Sequence, residues 1–497
     1  MPFYRPTSHF LKTPAVRLLL LLGLSELIYL AVFSAPFSLS RLFATIPPVD
    51  YTKLTGYSLH GLVAFVAGLL LLFGLYSALL KWAATTGLPP WLPYSGLLFA
   101  LTLFFSYPVL AIDMLIYAVL TRIWGQYGRN PLLGTPDSLP PSDPWAGLAA
   151  EWADIASPYG ALWETLSLGL FKLAGGDFLS HLFLLKGVAV LAYLGCLILL
   201  GRILAQLRPE WRQVGMLAFA WNPLVLLETA QNGHNDILMV FFMLASLWAW
   251  LRAGAGEGRL WPALTVMPLL AMAVQVKFIP LLIAPLFILA LTLAEKGWAG
   301  RLGRFIGHSA LFSLLVVLPL LPLWPGLDKW AVTGFSSGAG RSLSALLILA
   351  LRPWLGLNVA FDLSRLLVNA AFLLIGWWAF WQHRDRLSQP RTLCYLSWLL
   401  FFWYVLLAMP VFHAWYLLWS LPFAILLLPE RRPLLASLVF SLTALLIIPY
   451  FETVRAWFPV LLRNHLLGHL VGIPLLLGPP AWLAWRGWGT EEFKADL

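Results

Sequence analysis

LHGLVAFVAGLLLLFGLYSALL, residues 59–80, carries no charged residue and is long enough to cross the hydrocarbon core of a bilayer, which takes about 20 residues of helix. Residues 15–34, 94–112 and 182–204 form further runs of this kind with few charges. A backbone facing lipid must satisfy its own hydrogen bonds, and these runs lack the alternation of barrel strands, so they are read as helices. Composition agrees: 60% of the 497 residues are hydrophobic and 11% are charged, against about a quarter charged in a soluble domain. A water-soluble fold is excluded, and the class is an all-α polytopic integral membrane protein.

The first apolar run has no convincing cleavage site after it and many spans come later, so it reads as a retained helix rather than a signal peptide. Cys196 and Cys394 fall inside different predicted spans and imply no disulfide framework or metal cluster. The net charge of +10 fits basic residues gathered where cytoplasmic loops meet the bilayer, and nucleic acid is not expected as a partner.

Further spans are expected over 214–227, 237–251, 261–276, 278–293, 305–323, 364–381, 393–409, 415–428, 434–448 and 466–485, giving about 12–14 helices in a single domain over 1–497. With Arg5 and Lys12 inside, the clusters Arg202/Arg208/Arg212, Arg301/Arg304, Arg384/Arg386/Arg391 and Arg431/Arg432 all fall on the same side, as does Lys494. Both termini are therefore expected in the cytoplasm of a plasma-membrane protein. Two long outer loops, 113–180 and 324–363, are left on the opposite face, and long loops in compact proteins tend to be functional. In the first, Ser142-Asp143-Pro144 and Ser157-Pro158 predict short interfacial helices over 145–152 and 159–173, the second stopped by Gly175-Gly176.

The candidate chemistry sits on this outer face. Asp113 is expected where a span emerges, at the negative end of a helix dipole, a disfavoured place for a carboxylate unless something compensates. Tyr117 and Arg122 come after it on what reads as one short helical face. As a carboxylate at the bilayer edge, Asp113 is a candidate general base. Glu228, Gln231, Asn232, His234, Asn235 and Asp236 form a dense polar cluster between apolar walls, suited to sugar hydroxyls, a phosphate or a divalent ion. Lys277 and Arg341, the latter after a glycine-rich run at 334–340, are candidate phosphate contacts. His413 and Tyr416, in Phe412-His413-Ala414-Trp415-Tyr416, fit an aromatic belt and a sugar-stacking role.

Asp113-Met114-Leu115-Ile116-Tyr117, Gly128-Arg129-Asn130-Pro131, Trp152 with Ser157-Pro158-Tyr159-Gly160, Asn222-Pro223, the Asn232–Asp236 run and His413-Ala414-Trp415-Tyr416 together resemble the GT-C glycosyltransferases. The likeness is closest to the polyprenol-phosphate-mannose-dependent α-1,6-mannosyltransferases and extends from about residue 95 to about residue 425. The resemblance implies a lipid-phosphate sugar donor, a lipid or glycan acceptor among the membrane lipids, membrane-parallel helices in the outer loop, and an acidic catalytic base at the position of Asp113. Many such enzymes carry paired acidic residues here. Met114 stands after Asp113 instead, so Asp154 and Asp236 are the candidate second carboxylates, and a divalent cation, magnesium or manganese, stays open as a cofactor. The competing reading is a transporter or flippase of lipid-linked sugars, which would place ionisable residues near the bilayer midplane.

Overall fold

The computed structural model describes residues 14–254, 260–324, 326 and 340–486. Arg5, Lys12, Lys494 and most of the glycine-rich run before Arg341 lie outside the described residues. Within them the chain is helical throughout, and its only β-type pairings are the isolated bridges Ser38–Ser106 and Gly340–Val411.

Nine helices among the described residues are long and apolar enough to cross a membrane, from Pro14–Ser34 to His465–Arg486, and five shorter apolar helices accompany them. Several segments expected as continuous spans are broken, which is why the full-length helices number nine. The 94–112 run stops being helical at Phe104, ahead of Pro108. The 214–227 run divides at Trp221, after which Asn222 caps Pro223–Leu226 by accepting the Leu224 N–H at 2.9 Å. Pro280 and Pro285 divide 278–293 into Ile279–Leu282 and Ala284–Leu293. The second outer loop, expected over 324–363, is helical over Leu343–Leu355 and again from Leu357. The first of these helices has 13 residues, with Arg352 and Pro353 near its end, and was too short and too interrupted to read as a span.

Burial separates the inner helices from the outer ones. The most apolar stretch of Pro390–Ala408 is 78% buried, against 17% for Trp298–Leu323, so the first is central and the second faces lipid. The central helices carry the polar cluster at 228–236 and the aromatic run after His413.

The loop expected over 113–180 opens with a helix, Asp113–Tyr127, on which Tyr117 and Arg122 lie as the short helical face predicted, although not on one side of it. Gly128, at φ 66°, ends it by returning its N–H to the Trp124 carbonyl at 3.0 Å, the left-handed terminus for which glycine is suited. The helix expected over 145–152 is replaced by turns and a single 3-10 turn, Ala150–Trp152. Asp143 accepts the Trp145 N–H at 2.8 Å as a cap should, but its carboxylate also receives the Arg122 guanidinium at 2.7 Å and the Tyr127 hydroxyl at 2.6 Å. Asp143 thus anchors the loop to the preceding helix. The second expected helix forms as Ala161–Leu173, and Gly175 and Gly176 stop it with φ of 62° and 77°.

Burial raises the proton affinity of Asp143, but the hydrogen bonds from Tyr127, the Trp145 N–H and Arg122 outweigh it, and the carboxyl is held below its ordinary range. Its stabilising contribution is therefore present at neutral pH and lost as pH falls through that lowered value. Asp143→Ala should cost about 1–3 kcal/mol and expose 128–157 to protease; limited proteolysis and thermal denaturation of the purified protein check this, and an unchanged cleavage pattern contradicts it.

Candidate active site

Asp113 is the first residue of its helix, not the last of a span: the Leu115 and Ile116 N–H groups return to the Ile112 carbonyl at 2.9 and 3.2 Å. The expected dipole is therefore reversed, and the carboxylate lies at the positive end, where negative charge is favoured. Asp113 is half-buried. Burial pushes its carboxyl up, His234 and Lys277 pull it back, and Asp236 and Glu228 add to the rise, leaving it above the ordinary carboxylate range. One turn on, the Tyr117 hydroxyl donates to Asn235 Oδ1 at 3.3 Å, and its ring meets those of Tyr159 and Trp163 edge-on at 5.1 and 5.0 Å. Arg122, nine residues from Asp113, falls on the other side of the helix and serves Asp143.

The polar cluster is a buried wall rather than a solvated turn. Glu228, Gln231, Asn232, His234, Asn235 and Asp236 are at most 1% exposed. Leu227–Gln231 is a π-helical turn, a geometry frequent at functional sites, and Gly233 lets the chain reverse at φ 71°. Asn232 donates to Glu228 Oε2 at 2.8 Å and accepts the Leu110 N–H at 3.2 Å, so it ties the cluster to the stretch of chain leading into Asp113. His234 Nε2 lies 3.2 Å from Glu228 Oε2.

Asp236 opens the helix Asp236–Gly254 and pairs with Lys277, whose Nζ lies 2.9 and 3.0 Å from the two carboxylate oxygens. Trp419 Nε1 donates to the same carboxylate at 2.6 Å. The ammonium lies 5.9, 5.3 and 5.6 Å from the ring centres of Tyr159, Tyr416 and Trp419, within cation–π range. Tyr159 is delivered by Gly160, whose N–H reaches the Val276 carbonyl at 3.3 Å while Ala161 N–H reaches Gln275 Oε1 at 3.0 Å. Ser157 supports this approach by donating to the buried Glu164 at 2.5 Å, a carboxyl raised by burial to about 7.

Trp415 is sandwiched between two imidazoles, stacked on His234 at 4.1 Å and on His413 at 4.2 Å. Burial, then the charges of Arg341, His234 and Lys277, hold His413 well below the ordinary histidine range. Arg341, at φ 54°, is fixed by the Gly340 bridge to 410–412 and pairs with Glu452. Glu228, Arg341, His413 and Trp415 all border a narrow cavity of about 20 Å³, room for about one water.

Asp113, Tyr117, Tyr159, Asn232, His234, Asn235, Asp236, Lys277, His413 and Tyr416 thus form one connected set, with Arg341 at its margin. Ser157 backs that set from behind. Asp154 is exposed on the loop and Trp152 is half-buried in its 3-10 turn, and among the described residues no contact draws either into the set. As the expected second carboxylate, Asp236 is taken by Lys277 and Trp419, while Glu228 engages Asn232 and His234 through Oε2 and leaves its buried Oε1 without a hydrogen-bond partner. Among the described residues no three His, Cys, Asp or Glu side chains converge as metal ligands.

Sequence reasoning missed Lys186. It is fully buried within the span Phe178–Leu207, and its Nζ donates to the carbonyls of Leu103 at 3.1 Å and Ser106 at 2.5 Å. It therefore caps the carbonyl end of the short helix Gly96–Phe104, where a cation is favoured, and fixes the segment running into Asp113. A lysine inside a span was the signal available for it.

The spans define a multi-pass membrane protein, and the family that its sequence matches makes it a glycosyltransferase. Residues 20–293 match the family described as alpha-(1->6)-mannopyranosyltransferase, N-terminal domain (MptA_B family), and the chain belongs to this family of mannosyltransferases. Comparison with curated proteins and with solved structures gave no match.

Two predictions test this construction. A Cβ on Gly160 would lie 2.3 Å from the Gln275 carbonyl oxygen, whereas one on Gly169, in the helix that Gly160 caps, meets nothing within 4 Å. Gly160→Ala should lower the melting temperature and activity sharply while Gly169→Ala leaves both intact or gains about 1 kcal/mol; equal tolerance of the two would show that the approach is not close. Asp236→Asn and Lys277→Met should each cost about 3–5 kcal/mol by stranding a buried charge, with the double variant costing less than the sum, as a denaturation double-mutant cycle reads directly.

Proposed function

We propose that the chain transfers mannose from a polyprenyl-phosphate-linked donor to a lipid- or glycan-linked acceptor at the outer membrane face, with inversion and with Asp113 as general base. The observation that carries this reading is the position of Asp113: a half-buried carboxylate at a helix N-terminus, in the field of His234, Lys277, Asp236 and Glu228. Membership in the mannosyltransferase family supports the sugar. The one-sided distribution of the basic clusters supports an outer-face site with cytoplasmic termini.

In the proposed step the acceptor hydroxyl attacks the anomeric carbon and gives its proton to Asp113. The bond from that carbon to the phosphate oxygen breaks, polyprenyl phosphate leaves with the electron pair, and a single displacement inverts the centre. Lys277 has three N–H donors, of which Asp236 occupies two, leaving one for the departing phosphate. Arg341 lies at the margin of the same set as a second cation for that charge. Neutral His413 and the amides of Asn232 and Asn235 orient hydroxyls without competing for the proton.

The test is transfer of radiolabelled mannose from synthetic polyprenyl-phosphate-mannose to membrane glycolipids by the purified full-length protein. Asp113→Asn should reduce turnover by about 10²–10⁴-fold. Because the carboxyl is raised by burial and must be ionised to act, the acid limb of kcat/KM should lie above the ordinary aspartate value of about 3.9. No product from the wild type removes the donor assignment, and near-normal turnover by Asp113→Asn removes the base.

A further inference from the structure

Two adjoining cavities of about 580 and 770 Å³ open between the end of Leu343–Leu355, the start of Leu357–His383 and the residues around 459–469. None of this lies in the part of the chain matched by the family. Leu349, Arg352 and His465 line both cavities; Arg463 belongs to the first, and Asn358 and Asp362 to the second. Among the described residues neither Arg352 nor Arg463 has a carboxylate within ion-pair distance, although Asp362 borders the same space. Behind the wall Arg455, 9% exposed, holds its guanidinium against His465 Nδ1 at 3.2 Å and the Leu461 carbonyl at 3.4 Å. Its charge adds to that of the two surface arginines.

The places where two spans begin put the groove near one end of the membrane-crossing region. Two spans, Leu357–Arg386 and His465–Arg486, begin at its edge, and Trp354, 85% exposed, stands beside it with Trp457 and Phe458, the residue types of the membrane interface. Leu355, Leu357, Val359, Val460, Leu462 and Leu470 are exposed in and around it, so an apolar surface adjoins a lining that carries Arg352 and Arg463 beside the single carboxylate of Asp362. A free anion would need only the two arginines, whereas an acyl or prenyl chain explains the apolar surface as well. Both spans also present the positive ends of their dipoles here.

We infer that this groove seats the phosphate group of an anionic membrane lipid, held by Arg352 and Arg463 with its chain along the apolar surface. The lipid is a bulk phospholipid such as phosphatidylglycerol or a polyprenyl phosphate; both present the same chemistry to the arginines. Basic pockets between membrane helices recognise headgroups in this way.

Native mass spectrometry of the full-length protein, titrated separately with phosphatidylglycerol, a polyprenyl phosphate and phosphatidylcholine, tests the inference without reference to turnover. The wild type should retain one anionic lipid about tenfold more tightly than phosphatidylcholine, and Arg352→Gln/Arg463→Gln should lose that preference while its melting temperature in neutral lipid is unchanged. Preference for phosphatidylglycerol identifies the bulk lipid, and preference for polyprenyl phosphate alone identifies the prenyl source; either supports the seat. Equal retention of all three, or a preference that survives the double substitution, overturns it. Photoactivatable phosphatidylglycerol and polyprenyl phosphate on the wild type supply a readout that needs no variant: labelling within 343–363 or 459–470 is expected, and labelling confined elsewhere overturns the assignment.

Discussion

The carboxylate of Asp236 is fully buried in a protein whose surroundings are hydrocarbon, and the chain organises its site around the need to neutralise it. Lys277 answers with both oxygens in reach, and Trp419 fills the remaining acceptor capacity with its indole N–H. A buried ion pair is weak evidence for net stability, because removing two charges from water costs several kcal/mol each. It is strong evidence for geometry, since neither partner can move without stranding the other. The rings of Tyr159, Tyr416 and Trp419 around the ammonium inherit that fixed position, and so does the loop helix that Gly160 seats on Gln275 beside Lys277.

The fold class was legible because long apolar runs with few charges admit one reading in a bilayer. Boundaries were less so. Phe105–Ile112 continues the apolar run of the helix before it without a charged residue, and hydropathy cannot see that Pro108 withholds the N–H the helix needs; Asp113 was consequently assigned to the wrong end of a helix. Helix stops written in backbone conformation, such as Gly175-Gly176, survived, since positive φ is a local property. At Asp143 the local cap was readable, but Arg122 and Tyr127 converted it into a tertiary anchor.

In the site, residue types were readable and partnerships were not. Asp236 and Lys277 were each flagged, yet 41 positions separate them and nothing in either neighbourhood announces the pair. Arg122 comes soon after Asp113 in sequence and was assigned to the same face, although nine residues of helix turn it away. Lys186 was passed over because one lysine does not spoil the hydropathy of a 30-residue helix. The part of the chain beyond residue 293 supplies Arg341, His413, Trp415, Tyr416 and Trp419, so the set is completed by sequence outside the matched domain.

The position of Asp113 on the first turn of its helix also bears on the proton that the proposed mechanism would transfer there. The backbone dipoles favour the ionised carboxylate and offer nothing comparable to the neutral acid, while the shortage of water around the group pulls the other way. A proton placed at this position would be opposed by the helix and favoured by the burial. In the proposed role as base, Asp113 would be drawn back to its ionised form by the same peptide groups that position it.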